Sequence, residues 1–227
     1  MIDFTITHQK ERLPVIARKN WPSGKIVMIG DSITDSGRKS DPEELGSGYV
    51  RMLRDFFLLD RTESELVFCN KGVSGNRVTD LAARWEEDVI DEQPDFLSIS
   101  IGINDVWRQL DQPSKKQVLL DEFADVYGQL LKDAQSKTGA RLILMEPTVI
   151  EEDLSSEGNQ KLVPYINTVR ALSAAYNAIL VPSHQTFTHF ISQRKGVPLT
   201  TDGVHMTSLG NMLLAHTWIE AVSDALK

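Results

Sequence analysis

Along the chain, short apolar runs alternate with longer stretches in which apolar residues recur at helical spacing. The runs are KIVMI (25–29), ELVFCN (65–70), FLSISI (96–101), RLILME (141–146) and AILVP (178–182). Each is nearly continuous in Val, Ile, Leu or Phe, as a strand buried on both faces requires. Helical patterning covers residues 49–59, 78–91, 119–137, 163–177 and 208–226. In the last of these, Leu209, Met212, Leu213, His216 and Ile219 form a stripe, with Thr207 and Ser208 placed to cap its start. Strand followed by helix five times over predicts an α/β protein: a flavodoxin-like, three-layer α/β/α sandwich around five parallel strands, the strand order being taken from fold precedent. Residues 25–227 read as one domain. Residues 1–24, with the turn Trp21-Pro22-Ser23-Gly24, read as an N-terminal arm packing on that domain or on a neighbouring subunit.

In an open parallel sheet, the loops leaving the C-terminal ends of the strands line the ligand crevice. Residues 105–114 (DVWRQLDQPS) and 147–164 are unusually rich connections of this kind, and so the first places to expect substrate contacts. The acid-rich EEDLSSEGN within the second reads as a solvated surface loop, with a lid or an interface element as the alternative.

Composition narrows the partners. The 227 residues carry a net charge of -8, which argues against nucleic acid or an anionic membrane surface. The one cysteine, Cys69, lies in an apolar run, reads as a buried inert thiol and cannot form an internal disulfide. The N-terminus mixes acids and bases and lacks an apolar signal core, so a cytoplasmic location is expected. The other histidines (His8, His184, His189 and His216) show no ligand spacing, and neither a metal nor an organic cofactor is expected.

Candidate chemistry begins at KIVMIGDSITDSGR (25–38), where a strand runs into Asp31-Ser32. Alone, Ser32 would be read as a helix cap. Three further groups fall at strand ends or in a terminal loop: Lys71-Gly72-Val73-Ser74-Gly75-Asn76, Gly102-Ile103-Asn104-Asp105 and Asp202-Gly203-Val204-His205. Acyl transfer needs a nucleophile, a base to take its proton, a group to orient that base and donors for the oxyanion. Ser32, His205 and Asp202 can fill the first three roles. The Ser32 and Gly72 backbone N–H groups and the Asn104 amide can fill the last, with a helix N-terminus adding positive potential.

These blocks, in this order, resemble those of the SGNH (GDSL) hydrolases, and the resemblance spans nearly the whole chain from Lys25. It implies the flavodoxin-like fold, Ser32 as nucleophile, His205 as base, Asp202 as its orienting acid, and Gly72 and Asn104 as oxyanion donors. The segments NKGVSGNRVTDLAARWEEDVI and IGINDVWRQ further resemble intracellular bacterial acetylxylan esterases of that family. That likeness implies an esterase acting on small acetylated carbohydrates, and a homo-oligomer. Those relatives carry Trp before the last-block Asp, where this chain has Thr201.

Asp31, Trp107 and Thr201 are the expected substrate contacts. For Trp107, stacking on a sugar ring and packing against a neighbouring helix or subunit both remain open. Trp85 reads as core or interface, and Asp35, Arg38 and Arg77 as supports for the nucleophile and oxyanion turns. A lysophospholipase or thioesterase of the same family, and a non-catalytic carbohydrate-binding protein on the same fold, are the alternative functions.

Overall fold

A computed structural model describes residues 23–60 and 66–225. The proposed arm, residues 1–24, lies almost entirely outside the described residues. Five strands form one parallel sheet: β1 (Gly24–Gly30), β2 (Leu66–Gly72), β3 (Phe96–Ser100), β4 (Arg141–Met145) and β5 (Ile179–Val181). Their order is β2-β1-β3-β4-β5, the flavodoxin-like order. Register sets Gly30 beside Gly72 on one side and Ser100 on the other, so three strand ends meet where the winding reverses direction.

Eight α-helices occur among the described residues. They are α1 (Ser32–Asp35), α2 (Tyr49–Asp60), α3 (Val78–Ala83, continued by a π-helical turn at Glu86–Ile90), α4 (Ile103–Asp111), α5 (Leu120–Thr138), α6 (Glu157–Ala175), α7 (Ser183–Gln193) and α8 (Ser208–Ala225). Packing of α2 against α8 covers one part of the sheet, and α3, α5 and α6 pack together over another. Buried Trp218 of α8 meets Phe57 edge-on at 6.2 Å and donates its indole N–H to Ser98 Oγ at 3.0 Å, pinning the helix to β3. Trp85 is buried, which decides its reading for the core. Cys69 is half-buried on β2 rather than fully buried, and burial pushes its thiol up.

Four expectations from periodicity need correction. Residues 105–114 are not an open loop, because α4 takes up most of them. Helix α6 begins at Glu157 and not near 163: Ser156 caps it by accepting from Asn159 N–H, and Pro164 sits inside it. Proline usually stands no deeper than the first turn of a helix, and here the helix runs through it. Helix α7 was not anticipated, although Phe187, Phe190 and Ile191 have helical spacing. In α8 the buried stripe is Asn211, Leu214, Ala215, Trp218 and Val222, whereas Leu209 and Met212 of the expected stripe face outward, Met212 with 54% exposure. The helix is apolar nearly all round, so period alone does not select its inner face.

Two carboxylates are buried near the C-terminal ends of β1 and β3. Asp31 is 1% exposed and accepts from Ile33 N–H at 3.0 Å as the N-cap of α1. Its expected role as a substrate contact is therefore corrected: it braces the nucleophile turn from below. Asp105, fully buried, accepts from Val78 N–H at 3.1 and 3.3 Å at the start of α3. Burial raises each to about 7, against the pull of the backbone N–H groups each accepts from.

A carboxyl whose folded-state pKa is raised stabilises the fold fully below its unfolded pKa and loses that contribution as pH rises through the folded value. The Asp105→Asn variant, neutral at every pH, is thus expected to gain on the wild type between pH 5 and 8 by on the order of 2 kcal/mol. Urea unfolding at the two pH values measures this; a pH-independent difference would contradict it.

Candidate active site

Ser32 opens α1 directly after β1, on a turn with no room for side chains. A Cβ on Gly30 would lie 2.4 Å from the Ser100 carbonyl oxygen. A Cβ on Gly72 would lie 2.1 Å from the Asp35 nitrogen, so β2 ends hard against α1. Buried Asn70 ties the two together. Its Nδ2 donates to the Thr34 and Leu45 carbonyls at 2.7 and 2.8 Å, and its Oδ1 accepts from Gly72 N–H at 2.8 Å.

That last bond corrects the expected role of Gly72. Its N–H is turned inward and occupied, so it is not free for an oxyanion. A donor without an acceptor among the described residues lies three residues on, at Gly75. Residues 73–76 form a turn closed by Asn76 N–H to the Val73 carbonyl at 3.2 Å, with Gly75 at φ +83°. This is the third-position geometry of a type II turn, which demands glycine. Among the described residues Gly75 N–H has no protein acceptor, and nothing lies within 4 Å of where its Cβ would be. The sequence Val-Ser-Gly-Asn carried the type II signal.

The turn is held on both sides. Ser74 donates from N–H and Oγ–H to Asp35 Oδ2 at 3.2 and 2.6 Å, and the Asn76 carbonyl accepts from Asn104 Nδ2 at 3.1 Å. Asn104 is 1% exposed, and its bond to Asn76 uses one of its two amide hydrogens. Arg84, which sequence reasoning missed, donates to Asn76 Oδ1 (2.8 Å), the Lys71 carbonyl (2.8 Å) and the Gly30 carbonyl (3.1 Å), joining both strand ends to the turn. Asp35 and Arg38 support these turns as expected, Arg38 Nε donating to the Gly72 carbonyl at 2.7 Å, whereas Arg77 serves the start of α3, its N–H donating to Asp80 at 2.8 Å and its side chain to the Lys116 carbonyl at 2.8 Å.

From the far end of the chain, the loop before α8 brings His205 Nε2 to 2.9 Å from Ser32 Oγ. His205 Nδ1 lies 2.6 Å from Asp202 Oδ2, while Asp202 Oδ1 accepts from the N–H groups of Val204 (3.0 Å) and His205 (2.8 Å). Partial burial pushes the Asp202 carboxyl up, but these hydrogen bonds and the nearby imidazole outweigh it and hold it at about 2. With Nδ1 facing a carboxylate, the ring keeps its Nδ1 proton and presents Nε2 as an acceptor to Ser32. The set can move a proton from serine to imidazole.

Trp107 on α4 is half-buried, with its ring edge-on to the His205 imidazole at 5.9 Å. The Arg108 guanidinium lies 4.8 Å from its ring centroid, so the tryptophan is packed within the protein as well as standing beside the base. Thr201 is exposed and closes the His205 loop by donating from N–H and Oγ–H to the His205 carbonyl at 2.8 and 3.2 Å.

Comparison with known proteins gives consistent results. Residues 28–213 match the GDSL-like Lipase/Acylhydrolase family. An acetylxylan esterase of Geobacillus stearothermophilus is 36% identical over 205 residues, 87% of this chain and 93% of that one. The crystal structure of Axe2, an acetylxylan esterase from the same organism, superposes with a TM-score of 0.83 at 35% identity, covering 90% of this chain and 96% of that one. Catalytic mutants of Axe2 have been solved with a serine, an aspartate or a histidine replaced by alanine, the last two three positions apart, as Asp202 and His205 are. An Axe2 mutant replaces a tryptophan one position before that aspartate, where this chain has Thr201. LAE5, an alpha/beta hydrolase enzyme from the metagenome of Lake Arreo, gives a TM-score of 0.84 at 30% identity over 91% of this chain and 98% of that one. By sequence over most of its length and by the fold that its five strands build, the chain belongs to the GDSL-like lipase/acylhydrolase family and is a carboxylic ester hydrolase.

Proposed function

We propose that the chain is a serine esterase that removes acetyl groups from small carbohydrates of the xylo-oligosaccharide type. The observation that carries this reading is the continuous line from Ser32 Oγ through His205 (2.9 Å) to Asp202 (2.6 Å). The 36% identity to an acetylxylan esterase supports the substrate class.

In this reading Ser32 Oγ attacks the acetyl carbonyl carbon as His205 Nε2 takes its proton, and Asp202 balances the imidazolium. The oxyanion is met by the N–H of Ser32 at the start of α1, by Gly75 N–H and by the second amide hydrogen of Asn104. His205 then returns its proton to the sugar oxygen, which leaves as the hydroxyl. A water, deprotonated by the same nitrogen, releases acetate from Ser32. The departing sugar must lie beside His205, where Trp107 stands, so Trp107 is assigned to the wall of the sugar site. Thr201, smaller than tryptophan, leaves its side of that site more open.

A cytoplasmic location and a homo-oligomer belong to the same reading. Leu209 and Met212, exposed together on α8, are a candidate contact for the latter.

The Ser32→Ala and Asp202→Asn variants are expected to fold normally and to lose on the order of 10⁴-fold in kcat for acetate release. Asn104→Ala should lose roughly 10²–10³-fold. Gly75→Ala should lose activity, since φ +83° strains a side-chain-bearing residue and turns its N–H away, while the protein still folds because the added Cβ meets no atom within 4 Å. Full activity in Ser32→Ala would sink the mechanism. Because Asp202 is held ionised down to about 2, it keeps its charge across the assay range, and no fall in kcat/KM between pH 5 and 8 is expected from its protonation; a pH–rate profile checks this.

Acetate release from acetylated xylo-oligosaccharides, set against 4-nitrophenyl esters of increasing chain length, tests the substrate. Activity should be highest for acetyl. A maximum at C8 to C12 chains would favour a lysophospholipase or thioesterase. Absence of fluorophosphonate labelling at Ser32 would favour a non-catalytic carbohydrate-binding protein.

A further inference from the structure

Asp202 and His205 are not held by burial: their side chains are 48% and 40% exposed. Their placement relative to Ser32 rests on the loop that carries them, which is anchored in the core by buried Leu199 and Val204 and shaped by hydrogen bonds. Within the loop, an antiparallel bridge pairs Thr200 with Met206, and Thr201 closes onto the His205 carbonyl. Thr207 ties back to the Pro198 and Leu199 carbonyls, and further attachments come from the connection between β4 and α6, which the sequence suggested was a solvated surface loop.

A single oxygen of Glu152, Oε1, accepts from Leu199 N–H at 2.8 Å, Thr200 N–H at 2.7 Å and Thr200 Oγ–H at 2.8 Å. Next to it, Glu151 N–H donates to the Gly203 carbonyl at 2.7 Å, between Asp202 and His205. The segment bearing these two glutamates is itself fixed from inside the protein. Asn159, 4% exposed, donates from Nδ2 to the Glu151 and Asp153 carbonyls at 3.0 and 2.9 Å and accepts from Ile150 N–H at 3.0 Å. The path runs from a buried asparagine on α6, through the Glu152 carboxylate, to the residues that immediately precede Asp202.

We propose that Glu152 is a positioning residue of the esterase: its carboxylate fixes the start of the loop that carries Asp202 and His205, and so sets the imidazole against Ser32. Hydrogen bonds to an ionised acceptor are stronger than neutral ones, and three on one oxygen leave the loop little freedom at that point. A displacement of about 1 Å at a catalytic group is enough to cost roughly 10²-fold in rate. The proposal rests on the reading of Ser32, His205 and Asp202 as the reacting set.

The test compares Glu152→Ala, Glu152→Gln and Ser32→Ala with the wild type for kcat and KM on 4-nitrophenyl acetate. Each is normalised to the fluorophosphonate-titratable fraction, except Ser32→Ala, which is normalised to folded protein. Glu152→Ala should lose roughly 10- to 100-fold in kcat with little change in KM. The far-downfield proton resonance of His205 Nδ1–H bonded to Asp202 should broaden or vanish in it. Glu152→Gln, which keeps an oxygen acceptor, should recover most of the rate and the resonance. If Glu152→Ala does not fold, Glu152→Asp, with the carboxylate withdrawn by one methylene, is read in the same way. An unchanged normalised kcat with an unchanged resonance overturns the proposal. So does a loss that Glu152→Gln fails to rescue. An inactive Ser32→Ala beside a fully active Glu152→Ala overturns the proposal alone, whereas an active Ser32→Ala overturns the mechanism and the proposal together.

Discussion

The hydrogen bond between His205 and Ser32 joins residues 173 positions apart, and the architecture around it exists to keep two distant pieces of chain at 2.9 Å. The serine side is made stiff by contact between backbones. Gly30 and Gly72 let two strand ends and α1 approach more closely than any side chain would allow, and Asn70 and Arg84 fill the remaining polar needs of those ends. The histidine side is built differently. Its loop is half in solvent and is shaped by hydrogen bonds to its own backbone and to the β4–α6 connection. One half of the site is thus fixed by close backbone contact, and the other, beyond the buried Leu199 and Val204, by directed polar contacts.

The parts of this design that were readable before the fold was known are those whose cause is local. Strands buried on both faces write themselves as apolar runs, and all five were placed within a few residues. Ser32, Asn104, Asp202 and His205 stand in short motifs at strand ends or beside a helix start, so their neighbours in sequence announce them. Gly75 was passed over for Gly72 because both lie in one small-residue turn. Which N–H faces outward depends on Asn70, whose side chain takes the other. The inner face of α8 was misread because Leu209 and Met212 are as apolar as the residues that pack, and only the position of β5 and α2 decides between them. Glu152 was invisible for a different reason: in an acid-rich run a carboxylate reads as solvated, and its partners lie about 47 residues away.

Asp31 and Asp105 illustrate how burial and function meet at the crevice. Each carboxylate caps the helix next to a reacting group, Asp31 beneath Ser32 and Asp105 beside Asn104, and each is held where its ionised form is poorly solvated. A polar group kept in such a place sets the direction of a helix start, and the helix start sets the direction of an N–H. The cost in stability is the physical trace of that orientation.

The last turn of the sheet, β5, closes at Val181, well before His205 enters the chain, and α8 follows His205 at once with Trp218 for the core. On the ribosome Ser32 therefore emerges early and His205 late. The same final segment that completes the hydrophobic interior also delivers the imidazole. A chain still being made, or one cut short before His205, lacks the Ser32–His205 hydrogen bond and has an unfinished interior together, so in the proposed mechanism hydrolytic competence arrives only once α8 has packed.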